Sequence, residues 1–198
     1  MRAILKLKIG VLTLALAAAA SAETPKLQIT LANNNDLEQR KKDQIERLAA
    51  QYDLKKYTLT KEIRIEQGAT NHSKPVLTLN PGFLYNDDRA LSAYVHEQGH
   101  WVLLDHQPEL RSLYQDLVRN FPSIPANPPE GSGSLQDSYF HLAVIMLEWQ
   151  ALDQLIGPER ARAVLDFKQT DHYTALYKTV LENRTKMEDI LKRHGVGW

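Results

Sequence analysis

The pattern His-Glu-x-x-His, which begins at His96 and ends at His100, constrains the fold more than any other feature of the sequence. The apolar residues Leu91, Tyr94 and Val102 recur around it at spacings of three or four, which is the period of one helix face. On a helix, side chains four positions apart point the same way. Two imidazoles placed so can bind one zinc ion, and the pattern therefore predicts a metal site on a helix.

Glu97 lies about 100° further round the same helix and is not expected to bind the metal. In this pattern the carboxylate accepts a proton from the attacking water and later donates it to the leaving group. Gly99 also stands inside the helix, where glycine costs about 1 kcal/mol relative to alanine. That cost predicts a packing reason for Gly99.

Strand and helix patterns alternate before the motif. The charge-rich segment 36–52 is amphipathic and predicts a helix. Short alternating or β-branched runs predict strands at 26–31, 57–60, 63–65 and 75–79. The last of these runs begins with proline, which suits an edge strand because proline cannot donate to a ladder.

From Asn86 onward the pattern is helical. Asn86 can cap a helix that reaches about Leu104. Segment 121–136 is rich in proline and glycine, and we expect a loop that forms a wall or lid. Four further helices are predicted, at Pro108–Asn120, Asp137–Ile156, Pro158–Phe167 and Asp171–His194. The fold class is therefore α+β, a small mixed sheet followed by a helical half that carries the metal site, in one domain over residues 23–198.

The first 22 residues have the composition of an export signal. Arg2, Lys6 and Lys8 precede an apolar run over 9–20, and small residues follow at 20–22. The run is about 12 residues, too short to cross a bilayer. We expect a cleaved signal peptide and a periplasmic or secreted protein without stable membrane insertion, with an uncleaved anchor as the alternative.

Charge and cysteine content exclude other classes. The sequence has 24 Lys and Arg, and three of them lie in the predicted signal peptide. Without that segment, 21 Lys and Arg stand against 24 Asp and Glu. The sequence has no stripe of Lys and Arg that could follow the phosphate backbone of a nucleic acid, so nucleic acid is not an expected partner. Because cysteine is absent, histidines and carboxylates must hold any zinc, as in catalytic sites.

These motifs resemble the zincin superfamily of zinc metallopeptidases. The run around Glu148, from His141 to Leu152, resembles the glutamate-zincin branch, in which a glutamate from a later helix is the third ligand. Small bacterial exported proteins that carry the motif are a looser resemblance. The resemblance implies a zincin-like fold, bound zinc and a peptide or protein substrate.

Two residues compete for the third ligand position. Glu148 lies in an apolar helical segment, where a carboxylate is costly to bury unless it is paired or binds metal. His106 stands where metzincins have their third histidine, although those proteins have glycine at the position of Leu103, where the chain turns. We favour Glu148. His141, seven residues earlier and about 10 Å along the axis, is expected to contact substrate rather than the same ion.

Three more side chains are candidates for contacts with the substrate or transition state. In zincins this half of the chain often supplies a histidine or tyrosine that steadies the oxyanion, and His172, Tyr173 and Tyr177 match by type. Aromatic residues at this spacing also pack into cores, and we favour that interpretation.

The sequence predicts an exported zinc-dependent peptidase that uses metal-activated water. Two alternatives stay open: a non-catalytic, zinc-stabilised envelope or interaction protein, and a zinc hydrolase of a non-peptide amide. An intact Glu97 favours an enzyme, because a purely structural site has no use for a general base.

Overall fold

The computed structural model describes residues 26–198. The predicted signal peptide lies outside the described residues. Seven helices and one three-stranded sheet make up the described chain, which confirms the α+β class and the order of a sheet region before a helical half.

Three short strands form the sheet in the order β1-β2-β3, with β1 at Gln28–Leu31, β2 at Glu62–Ile65 and β3 at Leu77–Leu79. All pairs are parallel, so the mixed sheet that we expected is wrong in this detail. Parallel neighbours need a connection that returns the chain to the same end. Helix α1, Asp36–Gln51, supplies this connection between β1 and β2.

The predicted strand at 57–60 does not form, because a side chain takes the backbone groups that a neighbouring strand would have used. Gln98 Oε1 accepts from the amides of Leu59 and Thr60 at 2.8 and 3.0 Å, and its Nε2 donates to the Thr60 carbonyl at 2.8 Å. The fully buried Gln98 thus ties this segment to the helix that carries the motif.

The motif helix, α2, spans Asp87–Asp105. The Asn86 side chain accepts from the Arg89 amide at 3.0 Å, which confirms the predicted cap. The remaining helices are α3 at Gln107–Asn120, α4 at Leu135–Ile156, α5 at Pro158–Lys168, α6 at Thr174–Glu182 and α7 at Arg184–Arg193. The single last helix that we predicted is therefore two helices, which meet at Asn183.

Helix α4 is the centre of the molecule and packs against every helix from α2 to α7. It runs antiparallel to α2, since Ser92 meets Glu148 at one end of the contact and His100 meets His141 at the other. Gly99 lies between these ends, where an added Cβ would lie 3.4 Å from Val144 Cγ1. The predicted packing reason for Gly99 is thus the close approach of α2 to α4.

No helix within residues 26–198 is long and apolar enough to cross a membrane.

Candidate metal centre

Three imidazoles converge where α2 and α4 meet. His96, His100 and His141 each offer a ligand atom, and the three atoms lie within 4.8 Å of one another. Their ring centroids are 4.7–5.7 Å apart. His96 is buried, and the other two rings are half-buried. The predicted pair on α2 is therefore brought together with a third histidine from α4.

The Nδ1 atoms of two of these rings are already engaged. His96 Nδ1 lies 2.9 Å from Glu148 Oε2, and His141 Nδ1 lies 2.9 Å from the Asp137 carbonyl oxygen. Because a carbonyl and a carboxylate only accept, both Nδ1 atoms carry hydrogen, and Nε2 is the lone-pair atom of each ring. Metal-binding histidines are typically oriented in this way by a carboxylate or carbonyl.

Glu148 lies behind His96, and the third position in the converging set belongs to His141. The Glu148 carboxylate is fully buried and accepts from Ser92 Oγ at 2.5 Å and from the Tyr177 hydroxyl at 2.9 Å. Burial raises its pKa, but the hydrogen bond from His96, positive charge at His96 and Lys168, and the hydrogen bond from Ser92 together hold the pKa below its usual value. The converging set thus contains His141 where we favoured Glu148, which lies against His96 instead; Glu148 as the third ligand stays a prediction.

This difference from the sequence-based expectation comes from the level along α4 at which the three imidazoles converge. Seven residues do separate His141 and Glu148 by about 10 Å along the helix axis. The antiparallel crossing sets the imidazole cluster at the His141 end, and Glu148 reaches only the back of His96. The spacing was estimated correctly, but its assignment to the two ends of the site was reversed.

Two further candidates, His106 and Tyr177, have their own contacts in the structure. His106 is the C-cap of α2, where its Nδ1 lies 2.7 Å from the Val102 carbonyl oxygen, and it is not a member of the converging set. Tyr177 is fully buried and donates its hydroxyl hydrogen to Glu148. Burial raises the pKa of Tyr177 well above its usual value, so the phenol stays a donor.

The histidine cluster opens into a cavity of about 570 Å³. Glu97 also lines this cavity and is 6% exposed. The other walls come from three stretches of chain, at 70–73, 80–83 and 168–173. Segment 121–136, expected as a wall or lid, supplies none of the lining residues described for this cavity.

Burial sets the protonation of the cluster. It lowers the pKa of His100 well below its usual value, and it lowers that of His141 to about 4; a positive His96 would act in the same direction on both. Neutral imidazoles are the form that binds a metal. Burial raises the pKa of Glu97, against the opposing effect of His96, as suits a group that accepts and returns a proton.

His172 and Tyr173 line the cavity, as considered from the sequence. The Tyr173 ring centroid lies 4.5 Å from that of His141, and its φ of 53° is in the left-handed region that non-glycine residues rarely adopt. Burial, followed by the charge of Glu97, raises the pKa of Tyr173, which keeps its hydroxyl protonated. His172 Nδ1 lies 2.7 Å from Asp171 Oδ2.

The edge strand predicted at 75–79 is partly covered. Thr78 exchanges two backbone hydrogen bonds with His72, at 2.7 and 3.1 Å, in an isolated antiparallel bridge. An extended chain therefore cannot pair with Thr78. The segment 70–73 lies outside β3 and lines the cavity in its place.

The donor set fits zinc. Three imidazole nitrogens lie close enough to share one ion, two of their rings are held by acceptors behind them, and no fourth His, Asp or Glu side chain of residues 26–198 joins the set. Three protein ligands with an open fourth position are typical of catalytic zinc.

Comparisons with protein-family models, with curated proteins and with solved structures found no match to this chain. The resemblance to zincins thus depends on the motif, and the functional inference depends on the geometry of the site.

Among the titratable residues that line the cavity, sequence reasoning did not single out His72 and Lys168. Neither belongs to a motif, and only the fold brings segment 70–73 and the end of α5 to face α2. Lys168 ends a helix, where a basic residue is ordinary because of the helix dipole, so the sequence contained no signal for a cavity residue.

Proposed function

We propose that this protein is a zinc-dependent peptidase in which His96, His100 and His141 hold the ion and Glu97 is the general base. The observation that carries the proposal is the convergence of three imidazoles with one position open, beside a buried carboxylate in a cavity. A purely structural zinc site closes its fourth position with a protein ligand. A general base next to an open position instead favours hydrolysis.

When bound, zinc supplies Lewis acidity that lowers the pKa of a water molecule and polarises a carbonyl group. Glu97 accepts a proton from the water whose oxygen attacks the carbonyl carbon. It then donates that proton to the amide nitrogen as the carbon–nitrogen bond breaks. Its burial in the cavity wall supports both transfers, because a raised pKa brings the carboxyl nearer to neutral pH.

Tyr173 has the position and protonation state to support the carbonyl oxygen as it becomes negative. Its ring lies against His141 and stacks at 6.4 Å from His96. A protonated phenol can donate one hydrogen bond to that oxygen. Glu148, Ser92 and Tyr177 act at a distance from the reaction by fixing the tautomer and orientation of His96.

The proposal is tested by the substitution Glu97→Gln, which keeps the volume of the side chain and the three imidazoles. We expect the cleavage rate of an unfolded-peptide library to fall by about 10²–10⁴, the usual contribution of a general base. Zinc content, measured by elemental analysis, should stay at one ion per chain. Glu62→Gln, on the exposed side of β2, is the matched control and should cleave at the wild-type rate.

A chelator should abolish wild-type cleavage, and added zinc should restore it. If zinc-loaded wild type cleaves no peptide, and if the chelator changes only the melting temperature, the zinc-stabilised interaction protein is the better interpretation.

A further inference from the structure

Two lysines are buried at the α1–α5 side of the cavity, and only one of them has protein partners. Lys41 is 1% exposed and donates to Gln44 Oε1 at 3.1 Å and to the Gly82 carbonyl oxygen at 2.9 Å. Burial lowers the pKa of Lys41 to about 8, against the charge of Asp87, which favours the protonated form. Lys41 is therefore a buried lysine whose partners indicate a structural role, and it is the reference against which Lys168 is compared.

Lys168 is 3% exposed and has no such partners. Within residues 26–198 its ammonium makes no hydrogen bond and no ion pair within 4.0 Å. It lies 5.4 Å from the centroid of the Phe83 ring. Asp171, an acid that lines the same cavity, pairs with His172 instead. An ammonium on a buried side chain that has an aromatic neighbour but no hydrogen-bonding or ionic partner is costly, and a bound anion would offset that cost.

The position of Lys168 connects it to the candidate metal centre. It lines the same cavity as the three histidines and Glu97. Lys41 adds a second positive charge behind it. This end of the cavity is therefore a positive pocket near the general base.

We infer that Lys168 binds a carboxylate of the substrate and so selects peptides that carry one near the scissile bond. The inference rests on the proposed peptidase function. Peptides supply carboxylates from two sources, the C-terminal group and the side chains of aspartate and glutamate. The ammonium of Lys168 can bind either source by a charge-assisted hydrogen bond.

The first test changes only the substrate. The zinc-loaded protein is given one peptide library in free-acid and C-terminally amidated forms, and a second set in which aspartate and glutamate are replaced by asparagine and glutamine. We expect one of these changes to lower kcat/KM by about 10- to 100-fold, as loss of one charge-assisted hydrogen bond does. A loss on amidation identifies the C-terminal carboxylate, and a loss on side-chain replacement identifies an acidic side chain. Equal cleavage of all forms overturns the inference.

The second test changes the lysine. Lys168→Met should lower kcat/KM for the carboxylate peptide to the value of its neutral analogue and leave the neutral analogue unchanged. Lys168→Arg should retain most of the preference. Lys178→Met, on the exposed face of α6, is the matched control and should keep it fully. An equal loss on both peptides would mean a structural role, which overturns the inference.

A binding measurement separates this inference from the proposed function. Zinc-loaded Glu97→Gln is titrated calorimetrically with the acid and neutral peptides, without any need for turnover. If the wild type cleaves nothing, the peptidase proposal fails, but carboxylate binding is still decided. Tighter binding of the acid peptide by about 10- to 100-fold, lost in the double variant with Lys168→Met, supports the inference, and equal binding overturns it.

Discussion

Two clusters of histidine and carboxylate in this molecule have similar composition and opposite properties. One is the candidate metal centre. The other lies where α3 meets the end of α7, and we call it the Asp116 cluster. There Asp116 Oδ2 accepts from Arg193 at 2.8 Å and lies 3.1 Å from His194 Nε2. His194 Nδ1 lies 3.1 Å from Ser112 Oγ.

The difference lies in which polar atoms have partners. In the Asp116 cluster both nitrogens of the histidine and both oxygens of the carboxylate are engaged, so it can bind nothing further. In the candidate metal centre, Glu148 is equally engaged, but Nε2 of His96, Nε2 of His141 and both ring nitrogens of His100 have no hydrogen bond within residues 26–198. Unused binding capacity, rather than residue type, distinguishes a functional cluster from a structural one.

The largest expected effect tests the metal centre as a three-histidine site. His96→Ala, His100→Ala and His141→Ala should each lower zinc affinity by more than about 100-fold, since altered supporting residues alone change it by about 10–100-fold. Competition with a chromogenic chelator measures the affinity. His106→Ala and His194→Ala are the controls and should bind like wild type. A normal affinity for His141→Ala combined with a loss for His106→Ala would favour the metzincin-like arrangement.

Glu148 gives a second test of the comparison. Its oxygens already accept hydrogen bonds, yet it orients His96, whose Nε2 has no hydrogen bond within residues 26–198. Glu148→Gln keeps an acceptor for His96 Nδ1 but removes the charge, and it should lower zinc affinity by about 10–100-fold. His141→Ala should have the larger effect in the same chelator assay. If Glu148→Gln weakened zinc more than His141→Ala did, Glu148 would be a ligand, as the sequence first suggested.

The sequence predicted the parts of the site that depend on local geometry. His96, Glu97 and His100 lie on one helix, and a fixed periodicity relates them, so their relation follows from spacing alone. His141 and Glu148 were both noticed on α4, but their roles depend on how far α4 slides along α2. That offset is set by tertiary packing at Gly99 and Val144, which has no local signal.

The same limit applies to the sheet and the last helices. The positions of all three strands were predicted from short alternating or β-branched runs, whereas the segment 57–60 forms no strand because the side chain of Gln98, 38 residues away, bonds its backbone. The direction of the strands depends on their connections, and α1 between β1 and β2 favours parallel pairing. The break at Asn183 replaces one predicted helix by two.

Tyr177 is expected to contribute less than Glu148, because it donates only one of the hydrogen bonds to that carboxylate. Tyr177→Phe should lower zinc affinity by less than about tenfold, since Ser92 and His96 still hold Glu148. Added to Glu148→Gln, it should have little further effect, because both changes act through one contact network. Fully additive losses would place Tyr177 outside that network.

The smallest effect is expected in the Asp116 cluster, and it concerns stability rather than metal. Asp116→Asn should lower the free energy of unfolding by about 1 kcal/mol at pH 7, a modest value because the Arg193 partner is half exposed.

The hydrogen bonds from Arg193, opposed by burial, lower the pKa of Asp116 to about 2 from 3.8. A lowered folded-state pKa contributes stability that is complete above about pH 4 and is lost as the pH falls towards 2. Denaturant curves of wild type and Asp116→Asn, recorded with a chelator present, should therefore differ at pH 7 and converge by about pH 2. A difference that stays constant across this range would mean that Asp116 acts through packing and not through its charge. Zinc affinity should be unchanged in Asp116→Asn at pH 7, because the Asp116 cluster has no unused ligand atom to offer.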